Sequence, residues 1–228
     1  MMVFDGFSKE ALDFLNEIKH NNTKEWFEAN RDRYEHLILT PSRGFVQEMG
    51  EHLQALVPTI NAIPKINGSL FRIYRDIRFR KDKTPIKTKI GVIFWQGAGK
   101  RMQSSSFYMH FDTDKLFLAV GIRGFSPQTL QKYRDFIKEE KHAKSLFEIL
   151  EEMQKKGYKL PQTKYKRLPN SFEKTYPFKQ LALYGNMYAY YEVKHPCEFF
   201  NEKLCDWAYE HYENMLPLQQ WVYEMTLS

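Results

Sequence analysis

The stretch LFRIYRDIRFRKDKTPIKTKIGVIFW, Leu70 to Trp95, decides the class of fold. Upstream of it, from Ser8 to Val57, apolar residues recur at helical spacing, whereas from Leu70 to Ile122 the period becomes two. Successive side chains of an extended strand point to opposite faces, so Ile73, Ile77 and Phe79 share a face with Arg75, while Arg72, Tyr74, Asp76, Arg78 and Arg80 take the other. Lys81-Asp82-Lys83-Thr84-Pro85 reads as the connecting loop, because proline fixes φ and has no N–H for a ladder. A second strand returns with Ile86, Thr88, Ile90, Val92 and Phe94 on one face and Lys87 and Lys89 on the other. The turn Gln96-Gly97-Ala98-Gly99-Lys100 leads to a third strand, Ser106 to Phe111, and Asp112-Thr113-Asp114 to a fourth, Leu116 to Ile122. Strands joined by such short connections pair antiparallel, which predicts a central β-meander and excludes βαβ crossovers.

Helical patterns flank the strands on both sides, giving an α+β fold in one domain over residues 1–228. Ser8 is the expected N-cap of a helix Lys9 to His20 carrying Leu12, Leu15 and Ile18. Asn22, with Glu25 three residues on, has the form of a capping box opening a second helix through Trp26, Phe27 and Tyr34. A third is expected from near Pro41 with Phe45, Met49, Leu53 and Leu56. Ser126-Pro127 opens a further helical stretch that runs to about Lys156 with a break near His142. Residues 157–193, rich in Tyr and Lys and interrupted by Pro161, Pro169 and Pro177, predict irregular structure with short helical or extended pieces. Helices follow over 197–226.

A chain of 228 residues supports one sizeable core. Its formal net charge is +6, and the segment Arg72 to Lys89 alone holds eight cations against Asp76 and Asp82, so the rest of the chain is balanced. A cationic excess confined to one hairpin suits a compact anion better than it suits a DNA duplex, which needs a broad basic face. Cys197 and Cys205 lie eight residues apart in a helical pattern, about 12 Å along the axis, too far to pair. The first residues lack a basic stretch followed by an apolar core, and no apolar run approaches the roughly 18 residues of a membrane span. The expectation is a cytoplasmic chain with no membrane partner.

Chemistry concentrates on the hairpin. Arg72, Arg78, Lys87 and Lys89 share a face across two strands, where neighbours lie about 5 Å apart and like charges repel unless an anion sits between them. Arg75, placed on the core side, needs an anion as well, because an unpaired buried guanidinium is costly. Arginine supplies bidentate hydrogen bonds and lysine, here Lys83 and Lys87, supplies point charge. Tyr108 and His110 share a face of the third strand. The reading is a pocket for a phosphorylated or carboxylated small molecule, built from Arg72, Arg75, Arg78, Asp82, Lys83, Lys87 and Tyr108. In an enzymatic version His110 or Asp76 moves a proton while Arg78 and Lys87 stabilise developing negative charge, and whether any reaction follows stays open.

Two alternatives stand beside it. One is a nucleic-acid-binding module that adds the tyrosines and lysines of 157–193 to the hairpin cations. The other is a structural or interaction protein whose charges pair internally. A metal site is not expected, since His195, Cys197, Cys205 and His211 diverge on helical positions, and Asp76 with Asp82-Lys83 lacks the second carboxylate of a metal-dependent nuclease. Gly97-Ala98-Gly99-Lys100 lacks the upstream glycine and the Ser/Thr of a P-loop. The residues name no cofactor and set no oligomeric state.

Several of these residues form a connected motif. Asn21-Asn22, Glu25-Trp26-Phe27, Asn30-Arg31 and Tyr34, followed by Arg72-Ile73-Tyr74-Arg75-Asp76-Ile77-Arg78-Phe79, Asp82-Lys83-Thr84-Pro85-Ile86-Lys87 and Tyr108-Met109-His110, resemble the family called domain of unknown function 2461, a widespread set of conserved hypothetical proteins. The resemblance runs from near the N-terminus to about Arg134 and is weak from Gly157 onward. Where the family pattern usually has Tyr and His, this sequence has Ile86 and Lys89. The resemblance implies that Arg75, Asp76, Arg78, Asp82, Lys83, Lys87, Tyr108 and His110 are the positions to test, and it implies no particular activity.

Overall fold

Ser8 starts the first helix, α1 (Lys9–His20), its hydroxyl accepting from the Ala11 N–H at 3.1 Å. The computed structural model describes residues 4–79 and 81–228, so the expected position of Arg80 on a strand face lies outside the described residues. The buried stripe of α1 is Ala11, Phe14, Leu15 and Ile18, with Leu12 at its margin. The next helix, α2 (Lys24–Ala29), is capped by Thr23, whose hydroxyl accepts from the Trp26 N–H at 3.2 Å. Asn22 is therefore not the cap that the spacing predicts, because its amide is committed elsewhere, as described below.

The chain continues through α3 (Arg31–Tyr34) and a π turn (Glu35–Leu39) into α4 (Thr40–Leu56). A helix beginning afresh near Pro41 is replaced by one continuous helical run. The wider turn, in which the Thr40 N–H donates to the Glu35 carbonyl, opens the backbone just ahead of Pro41, whose ring and missing N–H would otherwise break an α-helix.

Five strands form one antiparallel sheet in the order β1 (Ile60–Asn61), β2 (Ile90–Gln96), β3 (Ser106–Phe111), β4 (Lys115–Ile122) and β5 (Met187–Lys194). The fold is α+β with a meander, as the period-two stretch predicts. Two details differ. The segment 70–89 is not a pair of continuous strands, and only from Ile90 does a regular strand begin. The fifth strand lies in the segment expected to be irregular: Met187 and Ala189 are buried while Tyr188 and Tyr190 are half-buried, a period of two that the density of tyrosines obscures. Gly121, at φ +121°, lets β5 approach, since a Cβ there would meet the Met187 carbonyl oxygen at 2.2 Å.

The remaining helices are α5 (Pro127–Phe136), α6 (Glu140–Lys155), α7 (Leu204–Asn214) and α8 (Leu216–Leu227). Ser126 caps α5, accepting from the Thr129 N–H at 3.1 Å. The break after α5 falls at 137–139, and His142 lies inside α6 with its ring stacked 3.7 Å from that of Phe136. Cys197 is exposed in a 3-10 turn (Cys197–Phe200), whereas Cys205 is buried in α7. They share no helix, contrary to the spacing, and both are free thiols.

The fold divides into two compact units. One takes the chain up to Phe94, then Tyr108–Leu118 and Glu192–Glu210; the other takes Trp95–Phe107, Ala119–Tyr191 and His211–Ser228. The first is built on aromatic rings. Phe7 lies 4.5 Å from Phe111, 5.2 Å from Phe199 and 5.3 Å from Phe4, centroid to centroid, and Phe45 joins them from α4. In the second, Tyr133 packs against Phe125 and Trp221 and donates its hydroxyl to the Leu181 carbonyl at 2.9 Å. Buried Gln219 there donates its side-chain N–H to the Gln96 side-chain oxygen at 2.7 Å, while its own side-chain oxygen is buried with no hydrogen-bond partner among the described residues. No helix of the described residues is long and apolar enough to cross a membrane.

Phe7 packs against four other rings of its unit, those of Phe4, Phe45, Phe111 and Phe199, while itself 1% exposed, so Phe7→Ala should lower the unfolding free energy by about 3–5 kcal/mol in urea denaturation. A loss below about 1 kcal/mol would show that the ring cluster is not the centre of that core.

Candidate functional site

The arm between β1 and β2 carries the predicted site, and its shape follows from how its limbs pair. Near the base, Leu70 bridges Val92 and the Phe71 N–H donates to the Gly91 carbonyl at 3.1 Å. Farther out, the Lys87 N–H donates to the Ile73 carbonyl at 2.9 Å, Tyr74 bridges Ile86, and the Arg75 N–H donates to the Pro85 carbonyl at 2.8 Å. Phe71 and Ile73 are two residues apart, but their partners Gly91 and Lys87 are four apart. The returning limb therefore holds two extra residues, a bulge that interrupts both strands and bends the arm. Pro85, which has no N–H to donate, limits pairing at the far end.

Asn22 holds this arm against the helices. Its side-chain oxygen accepts from the Ile86 N–H at 2.9 Å and its side-chain nitrogen donates to the Ile86 carbonyl at 3.0 Å. The residue that has the form of a cap thus acts as a surrogate strand partner for one residue of the arm, Ile86. Ile73 and Ile86 are buried at this point, while Phe79, predicted on the same apolar face, is 96% exposed. Between Ile73 and Phe79, Ile77, the next apolar residue of that face, is half-buried and lines the cleft described below.

The outer arm's charges are matched in an ordered way. Arg78 makes a bidentate pair with Asp76, Nε to Oδ1 at 3.0 Å and Nη2 to Oδ2 at 2.7 Å, and this pairing holds the Asp76 carboxyl well below the usual range. Asp76 so placed is a weak proton acceptor. Asp82 caps its own turn, accepting from the Thr84 N–H at 2.9 Å and the Thr84 hydroxyl at 2.8 Å; Arg75 adds a third donor at 2.7 Å. The Thr84 backbone bond first, then the Thr84 hydroxyl and Arg75, bring the Asp82 pKa down to about 2. Arg75 Nη1 also donates to Thr84 Oγ1. Arg75 is thus not a buried charge on the core side: its side chain is 22% exposed and paired within the loop. Lys83 donates to the Ile77 carbonyl at 3.0 Å, Lys87 to the Arg72 carbonyl at 2.5 Å, and Lys89 pairs with Asp112 at 3.0 Å.

Between α2 and the arm lies a cleft of about 520 Å³ lined by Lys24, Glu28, Tyr74, Arg75, Ile77 and Pro85. Lys24 and Glu28 are four residues apart on α2 and face the arm together. The Tyr74 hydroxyl donates to Glu28, and Arg31 donates to the same carboxylate at 3.0 and 3.2 Å. The tyrosine hydroxyl first, then Arg31, lower the Glu28 pKa and keep it ionised. Of the residues predicted from the sequence, only Arg75 lines this cleft. Lys24, Glu28 and Tyr74 are additions: the helical spacing of the first two is legible, but nothing in the sequence sets that face of α2 against the arm.

Tyr108 and His110 form a separate cluster on β3. His110 stacks on Phe117 with centroids 4.6 Å apart and planes at 19°, and Tyr108 meets Phe71 edge-on at 6.0 Å. A Cβ at Gly91 would lie 3.1 Å from both the Tyr108 hydroxyl and the Phe71 ring, so glycine there lets the two rings lie close to β2. The Lys87 ammonium sits 5.9 Å from the Phe71 ring centroid. Among the described residues no three His, Cys, Asp or Glu side chains gather where a metal ion would be held.

The family described as Conserved hypothetical protein (DUF2461) matches residues 10–221. The chain belongs to that family. The DUF2461 match reaches well past Arg134 and takes in β5 and α7, so the tyrosine-rich segment and the C-terminal helices are part of the family's fold as much as the arm is. No curated protein matches the chain.

Removing the Asn22 clamp should loosen the arm of this DUF2461 member. Asn22→Ala leaves both polar groups of the partly buried Ile86 peptide without their partner, and the expected cost is about 1–3 kcal/mol with faster proteolysis within 72–89. Unchanged cleavage of that segment would show that the arm is held by other contacts. The arm is also acid-sensitive. A carboxylate whose folded pKa is depressed stabilises the fold above its unfolded pKa, near 4, and loses that contribution as pH falls through the folded value, for Asp82 about 2. Amide exchange at Thr84 should therefore be protected above about pH 4 and rise between about 4 and 2, and Asp82→Asn should remove that pH dependence.

Proposed function

We propose that the cleft between α2 and the arm binds a small molecule carrying a phosphate or a carboxylate. The observation that supports this reading is the placement of Lys24 and Arg75 on one cleft of about 520 Å³, a volume within the usual range of small-molecule sites. Asp82 and Thr84 both engage Arg75 Nη1, which fixes the guanidinium plane. Five N–H donors leave others for an anion, and fixing the plane beforehand reduces the ordering cost of binding. Lys24 adds a mobile point charge. Tyr74 and ionised Glu28 supply a hydroxyl and an acceptor, which favours a ligand bearing hydroxyl or amino groups beside its anionic group. Ile77 and Pro85 give the cleft an apolar wall.

The test is thermal unfolding of the purified protein against inorganic phosphate, sugar phosphates, nucleotides and small carboxylates. A compound that binds only the folded state raises the midpoint once its concentration exceeds its dissociation constant, by about 2.7 kcal/mol of added stability at a hundredfold excess. Wild type and Arg78→Ala, whose residue lies outside the cleft lining, should show the shift; Arg75→Ala and Lys24→Ala should lose it. The reading fails if none of these anions shifts the wild type, or if Arg75→Ala shifts as the wild type does.

A further inference from the structure

The arm closes in a loop beyond its last paired residues, Arg75 and Pro85, and this loop exposes Phe79 almost completely, at 96%. The ring lies in sequence between Arg78 and Lys81, with Lys83 two residues farther on. The Arg78 guanidinium carbon lies 5.8 Å from the Phe79 ring centroid, so cation and ring are presented together. We propose that this loop binds single-stranded nucleic acid, with Phe79 stacking on a base and the flanking cations holding the adjoining phosphates. Every base offers a π face and every nucleotide a phosphate, so an exposed ring set among cations matches the repeating chemistry of a single strand without requiring a particular sequence. A duplex is a poorer match, because its bases are already stacked and its phosphates call for a wide basic face.

An anionic membrane is the competing source of negative charge, and the loop argues against it. Interfacial binding rewards a contiguous apolar surface, yet the apolar residues of 76–84 are Ile77 and Phe79 alone, and Ile77 lines the cleft. The ring-and-cation pairing also recurs nearer the base of the arm, where Lys87 lies over Phe71. Phe79 takes no part in lining the cleft, so this proposal stands independently of the small-molecule reading.

Fluorescence anisotropy with a labelled oligothymidylate of about 20 nucleotides tests it. The wild type should bind at low salt and weaken steeply as salt rises. Phe79→Ala should weaken binding about 5- to 150-fold while leaving the unfolding midpoint unchanged, because the ring is exposed, and Phe79→Trp should restore binding. Absence of oligonucleotide binding by the wild type overturns the proposal, as does binding that Phe79→Ala leaves intact. Adsorption to phosphatidylserine vesicles that depends on Phe79, without oligonucleotide binding, overturns it in favour of a membrane surface.

Discussion

The candidate site depends on a pair of hydrogen bonds, 2.9 and 3.0 Å long, from one side-chain amide to both polar groups of the Ile86 peptide. Asn22 sits in the short connection between α1 and α2, so its amide joins the turn between two helices to the returning limb of the arm. That limb has a bulge and a proline, and its own ladder is too sparse to fix where it lies. With Asn22 in place, Ile73 and Ile86 are buried, Phe27 meets Tyr74 edge-on at 5.5 Å, and Tyr74 and Arg75 come to face Lys24 and Glu28. The cleft is a consequence of that anchoring.

Charge has a different role here from the one its concentration in the sequence suggests. Three cations of the arm pair with aspartates, Arg75 with Asp82, Arg78 with Asp76 and Lys89 with Asp112. Two of these pairs lie within the loop itself and shape it: Asp82 builds the turn at Thr84 and orients Arg75, and Asp76 draws Arg78 back along the chain. Exposed ion pairs contribute little to stability, so a stronger anion can take a share of the same donors without a large loss. Internal pairing is therefore compatible with the anion binding proposed above.

The aromatic residues divide by the sheet's two faces. Phe107, Met109 and Phe111 of β3 are fully buried, whereas Tyr108 and His110, at the alternate positions, are half-buried and pack on Phe71 and Phe117. Alternation along a single strand thus explains why the motif Tyr108-Met109-His110 places its two polar rings together and its methionine in the core. The same alternation in Met187 to Lys194 is harder to read, because the alternate positions Tyr188, Tyr190, Glu192 and Lys194 are tyrosine or charged, three of them only half-buried, and Tyr191 follows Tyr190 directly.

Periodicity, caps and turn residues carried most of the fold. Ser8 and Ser126 cap the helices that follow them, Asp112 closes the β3–β4 turn by accepting from the Asp114 and Lys115 N–H groups at 3.0 Å, and the strands after Ile90 lie where the period of two puts them, because each of these signals is local. The arm's composition was equally plain, from Arg72 to Lys89. What the sequence by itself could not decide is which of those residues meet. Asn22 has two uses, cap or clamp, separated in sequence from its partner Ile86 by 64 residues, and only the packing of α2 against the arm selects the clamp. With that choice Lys24, Glu28 and Tyr74 line the cleft with Arg75, while His110 belongs to another cluster. Local chemistry specifies elements; the register between distant limbs specifies the site, since two extra residues on one side of a ladder keep each side chain on its face but change which residues stand opposite one another.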